Sequence, residues 1–246
     1  MPPKKIIVIV TLTVLFALGV ATAVIFRHSI ARTITLHEGR SAIAHHVVTP
    51  VDMIGPISNY GAPGSILARN TRFTFWRAMP FGFQVFDHVP FQVDGAVFLW
   101  GAINAKKLKL VFPEEIPDIA VNQKFGTLYL LHCTFFISPA GTPVYQVVFH
   151  YEDDSLSPVT NLVLYDQDIL EVSARKGKRL GPSGPSSRLA WVTNEPGSRS
   201  LLRLCVTAIT NPMPFVKVTS IDLYSCKSPS AGCIMGMTTG KADLLK

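Results

Sequence analysis

The chain of 246 residues is 48% hydrophobic and only 16% charged, with a formal net charge of +7. That balance excludes a disordered polar chain, because there is enough apolar surface to offset the entropy lost on ordering. The first 26 residues hold two of the 23 basic groups, Lys4 and Lys5, and none of the 16 acids, so the remainder is mildly basic at 21 against 16. Such a surface suits an acidic partner or a membrane without requiring either.

Residues 1–5 form a short tail with Lys4 and Lys5. From Ile6 to Phe26 there follow 21 residues without a charge or a proline. At about 1.5 Å per residue they span roughly 30 Å of hydrocarbon, the length of one transmembrane helix. Ile6, Phe16, Gly19 and Phe26 mark this anchor, and Arg27 and Arg32 stand where charged groups reach lipid head groups. Ala21-Thr22-Ala23 offers the alternative of a cleaved signal peptide, but the apolar run continues through Val24, Ile25 and Phe26. Positive charge is nearly even on the two sides. The position of a lone span near the N-terminus therefore sets the expected orientation: a cytoplasmic tail and an exported C-terminal body on the periplasmic or extracellular side. Gly19 with Ala17, Ala21 and Ala23 gives the helix a small-residue surface on which a second helix can pack.

Residues 27–70 mix His45-His46, isolated prolines and the turn-rich NYGAPGS, and read as a stalk or irregular linker. From residue 71 to 246 the pattern changes. Short β-branched and aromatic runs such as FGFQVF, FQVDGAVFLW, TLYLLHCTFF, VYQVVFHY, LLRLCVTAI and VKVTSIDLYS are parted by Pro, Gly, Asn or Asp. This spacing predicts an antiparallel β-sandwich or barrel without helices.

Five of these segments, PFQVDGAVFL, FGTLYLLHCTFF, GTPVYQVVFHYED, RLAWVTNEP and LLRLCVTAITNPMPFVKVTSIDLYS, carry a resemblance. In this order they look like the galactose-binding-like β-sandwich (jelly-roll) domains of bacterial exported and membrane-tethered proteins, over about residues 85–240. Asn211-Pro212, Pro214 and Ser220-Ile221-Asp222 fall where that family's closing segment has its Asn-Pro, Pro and Ser-Ile-Asp. Two places depart from the pattern: Asp153-Asp154-Ser155 replaces the usual Asp-Gly turn, and Ile169 to Val172 follow the Tyr165-Asp166-Gln167-Asp168 turn where a tryptophan is usual. The resemblance implies the jelly-roll fold. Domains of this kind bind sugars, dock proteins or act structurally, so function rests on the site.

His132 and Cys133 are sequence neighbours, but alternation in a strand turns them to opposite faces, which rules out a Cys-His nucleophile pair. The expected state is a sheet histidine hydrogen-bonded to backbone beside a core thiol. Cys133, Cys205, Cys226 and Cys233 lack CxxC spacing and a zinc-like histidine, so no metal site is expected. In an oxidising compartment two disulfides can form, and the short turn between Cys226 and Cys233 makes that pair the first expectation, with free buried thiols as the alternative. Asp166 and Asp168, or Glu152 to Asp154, could ligate calcium, but no calcium-loop spacing is present. GxSxG, GxGxxG, Walker A and HExxH are all absent. A non-enzyme without cofactor is expected.

Binding candidates are better defined. Arg175, Lys176, Lys178 and Arg179 crowd a Gly-, Pro- and Ser-rich loop between Ser173 and Arg188, suited to acidic head groups or an acidic subunit surface. The loop has no interleaved aromatics, which argues against nucleic acid. Trp76, with Phe81 and Phe83, is the best exposed aromatic cluster for a sugar or a protein interface, whereas Trp100 and Trp191 lie in apolar runs suited to a core. Three roles fit: an accessory or scaffolding subunit of a membrane assembly, a tethered lectin-like module, or an enzyme without a recognisable motif. The small-residue surface of the helix favours the first, with glycan binding as the alternative. Exposed aromatics lining a groove beside Asn and Asp would indicate the lectin.

Overall fold

The computed structural model describes residues 49–53, 78–195, 197 and 199–241. The segment 6–26 with Ile6, Phe16, Gly19 and Phe26, most of 27–70, and Trp76 lie outside the described residues. Among the described residues no helix is long and apolar enough to cross a membrane.

The described chain is mainly antiparallel β-structure. Its strands are β1 (Thr49–Pro50), β2 (Gly82–Phe86), β3 (Val89–Val93), β4 (Val97–Phe98), β5 (Glu115–Gln123), β6 (Thr127–Phe135), β7 (Pro143–Tyr151), β8 (Val159–Leu164), β9 (Ser173–Arg175), β10 (Ser187–Asn194), β11 (Ser200–Thr210), β12 (Val218–Ser225) and β13 (Ala231–Gly240). One sheet runs β1-β13-β6-β11-β10, with β4 also on β13 and β9 also on β11; the second runs β5-β12-β7-β8; and β2 and β3 form a separate hairpin. The helix-free expectation misses one short element, a single π-helical turn at Asn104–Leu108 closed by Lys109 in the left-handed region (φ 56°). Five residues are too few to show a helical period, so composition could not reveal it.

The first sheet is covered on both faces. One core lies against the second sheet and holds Leu128, Leu130, Val147, Phe149, Ile209, Ile221, Leu223 and Ile234. The other packs the opposite face beneath the β2-β3 hairpin, with Phe91, Phe98, Tyr129, Leu131, Cys133, Leu204, Val206, Cys233 and Met235. Alternate residues of β6 thus feed two different cores, and all nine are buried. A strand covered on both faces needs no polar face, which is why this run is almost continuously apolar. Phe98 stacks between Phe112 at 4.9 Å and Phe135 at 5.4 Å, the offset range in which aromatic pairs attract beyond simple burial.

Within the stretch 27–70, residues 49–53 belong to the sandwich. Thr49 and Pro50 pair with Thr239 and Thr238, and Val51 and Met53 enter the core between the sheets. Pro50 is tolerated because β1 lies at a sheet edge, where no further strand calls for its missing N–H.

The closing segment, from Asn211 to Asp222, ties the two sheets together. Asn211 is buried just past β11. Its Oδ1 accepts from the Tyr151 hydroxyl at 2.7 Å and from Met213 N at 3.0 Å, and its Nδ2 donates to Phe125 O at 2.9 Å and Met213 O at 3.3 Å. One amide thereby spans three segments from both sheets. Asp222 does the same within the second sheet, accepting from Asp118 N at 2.8 Å, His150 Nε2 at 2.7 Å and the Tyr224 hydroxyl at 2.9 Å. Burial alone would raise the Asp222 pKa, but these donors outweigh it and hold the carboxyl below its usual range. Asn211→Ala strands a buried hydroxyl and a carbonyl, and should lower stability by about 2–3 kcal/mol; urea denaturation of the full-length chain in mild detergent measures it.

Candidate functional site: a cationic cleft

The cation-rich loop is less irregular than its composition suggests. Ser173–Arg175 zips onto the edge of β11 as β9, with Ala174 opposite Leu201. The free backbone groups of an adjacent strand override weak local propensity there. Beyond it, Lys178 N bonds Arg175 O at 3.2 Å and Gly177 takes φ 81°, a conformation natural to glycine, so the chain turns sharply and gathers its cations.

The turn forms one wall of a cleft of about 520 Å³ lined by Arg175, Lys178, Arg179, Arg203, Glu171 and Tyr165, together with two serines, Ala174 and the exposed Ile137. Arg203 is the residue that sequence reading missed. It lies within LLRLCVTAI and is only 7% exposed. Its Nε donates to Glu171 O at 2.8 Å, and its Nη1 donates to Arg179 O at 2.9 Å and Leu180 O at 3.2 Å. A guanidinium presents donors in a rigid planar fork, which is why one side chain can pin three carbonyls of two segments at once. The signal was present: a lone arginine in an otherwise apolar strand must find hydrogen bonds or leave the interior.

Charge in the cleft is unbalanced. Arg179 is paired with Asp166, which also accepts from Ser183 Oγ at 3.1 Å. Among the described residues, no carboxylate lies within ion-pair distance of Arg175, Lys178 or Arg203. Burial pulls the Arg203 pKa down and pushes that of Glu171 up, while their mutual attraction partly offsets both shifts. The cleft is therefore a place where an incoming anion meets an excess of positive charge, from Arg175 and Lys178 above all.

The other sequence candidates fall elsewhere. Lys176 is exposed but is not among the cleft-lining residues. Phe81 and Phe83 are half-buried in and beside the β2-β3 hairpin, Phe81 packing on its core, and they do not join the cations. Trp100 and Trp191 are half-buried. Asp168 spends its carboxylate on Leu164 N at 2.9 Å and Ser187 Oγ at 3.2 Å, and no cluster of three metal-ligating side chains occurs among the described residues.

His132 and Cys133 do point to opposite faces, and the histidine meets the Asp168 backbone as well as two side chains. Its Nδ1 lies 2.6 Å from the Tyr145 hydroxyl and its Nε2 2.8 Å from Thr207 Oγ1. Thr207 Oγ1 donates to Asp168 O at 2.9 Å, so its remaining role towards His132 is that of acceptor. The proton therefore sits on Nε2, and Nδ1 accepts from Tyr145. Total burial pushes the His132 pKa down to about 3, so the ring is neutral. This relay crosses the core from β6 to β7 and locks the two sheets in register.

The structure contains no disulfide among the described residues, and it sets Cys226 and Cys233, the pair first expected, in different layers. Cys226 N is tied to Val144 O of β7, whereas Cys233 faces the core under the hairpin, on the far side of the first sheet. Closeness in sequence brought them to different layers.

No family model matches the chain, and no curated protein or solved structure matches it.

Proposed function

We propose that this is a non-catalytic, single-pass membrane protein, anchored by residues 6–26, whose exported sandwich is a docking module in a membrane protein assembly. We further propose that the sandwich is of the galactose-binding-like jelly-roll type, a reading supported by two packed antiparallel sheets and by the architectural roles of Asn211 and Asp222. The observation that carries the docking role is the cation-lined cleft with Arg203 set into its wall. A concave site with a nearly buried guanidinium suits a group that projects into it, such as a carboxylate side chain on an acidic segment of a partner, better than a broad bilayer surface. A neutral sugar is less well served, because the cleft lining includes no exposed ring and no Asn or Asp. The inward, fully buried position of His132 supports a structural role for the nearest acid-base relay, in keeping with the non-enzyme reading.

Mild detergent extraction, isolation of the full-length chain through a C-terminal tag and mass spectrometry of what accompanies it test this. A stoichiometric membrane protein should co-purify, and the Arg175→Ser/Lys178→Ser/Arg179→Ser variant should lose at least tenfold of it while melting normally. If the wild-type chain comes away alone, the docking role is wrong, and glycan binding becomes the next assay.

A further inference from the structure

The first sheet sets two cysteines from distant parts of the chain directly against each other. Cys133 of β6 is the cross-strand partner of Cys233 of β13. Both are fully buried and both face the core beneath the hairpin. Directly opposed residues of an antiparallel pair have Cβ atoms about 4.5–5.5 Å apart, within about 1 Å of the roughly 3.5–4.5 Å that a disulfide spans. The side chain of Cys233, more than burial, pushes the Cys133 thiol up, as two sulfurs in close proximity should.

The other two cysteines are excluded by layer. Cys205 of β11 is opposite His132, a residue of the β6 face turned away from Cys133. Cys226 is held against β7 in the second sheet. We propose that Cys133 and Cys233 are the disulfide-forming pair of this domain, closed during folding in an oxidising compartment. The compartment rests on the exported reading above; the pairing does not.

The chemistry is thiol–disulfide exchange with a disulfide donor such as oxidised glutathione or an oxidised dithiol oxidoreductase. One cysteine thiolate attacks the donor and forms a mixed disulfide. The second thiolate then attacks the protein sulfur of that bond and expels the remaining donor thiolate. Two electrons and two protons pass from the pair to the donor, which leaves as two thiols. Because both sulfurs are sealed in the finished core, exchange has to precede docking of the β2-β3 hairpin.

The test uses full-length chain in mild detergent, prepared in two ways: lysed with an alkylating agent present, and refolded from reductant in a glutathione redox buffer. Digestion and mass spectrometry should give one linked peptide pair containing Cys133 and Cys233, with Cys205 and Cys226 alkylated. Reductant should lower the melting temperature of the wild type by several degrees and leave that of Cys133→Ala/Cys233→Ala unchanged. Four alkylated thiols in both preparations, or a Cys226–Cys233 link, would overturn the pairing. A link in the refolded chain with free thiols in the lysed one supports the pairing and sinks the exported reading.

Discussion

Removing the imidazole of His132 should cost about 3–4 kcal/mol of stability, the sum of a cavity and a buried Tyr145 hydroxyl left without its acceptor. Tyr145→Phe alone should cost about 1–2 kcal/mol, and the pair should be non-additive, since both substitutions break the same bond. The same residue makes the fold acid-sensitive. Its pKa is about 3 in the folded chain against 6.5 for an ordinary histidine, so between those values the unfolded chain binds a proton that the folded chain refuses. Stability therefore falls as pH drops below 6.5, by up to about 1.4 kcal/mol per unit from this group, and the loss levels off below the folded value. Asp222 acts in the same direction at lower pH, because its depressed pKa contributes stability that is lost on protonation. Urea midpoints of the full-length chain in detergent at pH 7, 5.5 and 4.5 should decline steeply, and His132→Ala should flatten the slope between the first two. A wild-type midpoint independent of pH across that window would refute the neutral, buried assignment.

Arg203→Met should have the largest effect on docking. The substitution leaves the carbonyls of Glu171, Arg179 and Leu180 without their donor, an expected loss of about 2–3 kcal/mol that is partly offset because a charge no longer has to be buried. More importantly, it frees the turn that gathers the cations. Hydrogen exchange of residues 175–182 should accelerate well beyond that of β11, and co-purification of the partner should fall at least as far as in the triple serine variant. Arg203→Lys keeps the charge but cannot fork to three carbonyls, so it should stay near the methionine variant in exchange and recover binding only in part. Arg175→Ser, an exposed change, should move stability by no more than about 0.5 kcal/mol. Equal exchange rates in wild type and Arg203→Met would remove Arg203 from its positioning role.

Much of the architecture follows from local pattern. The turn residues separating β-branched runs foretold an antiparallel, β-rich fold, and alternation along LYLLHCTFF correctly turned His132 and Cys133 apart. The cation cluster of Arg175 to Arg179 was equally visible as composition. What failed had a common cause. Cys226–Cys233 was expected from short separation along the chain, but a strand and its preceding loop belong to different layers here. The histidine was expected to bond backbone, and besides Asp168 it engages the side chains of Tyr145 and Thr207, 13 and 75 residues away, which no local pattern could reveal. The short strand β9 in a Gly- and Ser-rich region forms because β11 offers it an edge.

By itself, then, the amino-acid sequence determined the β-class of the body, the apolar length of residues 6–26 and the clustering of positive charge, because each depends on near neighbours through periodicity or composition. Only the tertiary structure decided that a lone arginine in LLRLCVTAI anchors the cationic turn, that a buried relay joins the two sheets, and that Cys133 faces Cys233. Those depend on strand order and register, which are settled by the mutual fit of two cores and the pairing of distant edges rather than by any local preference.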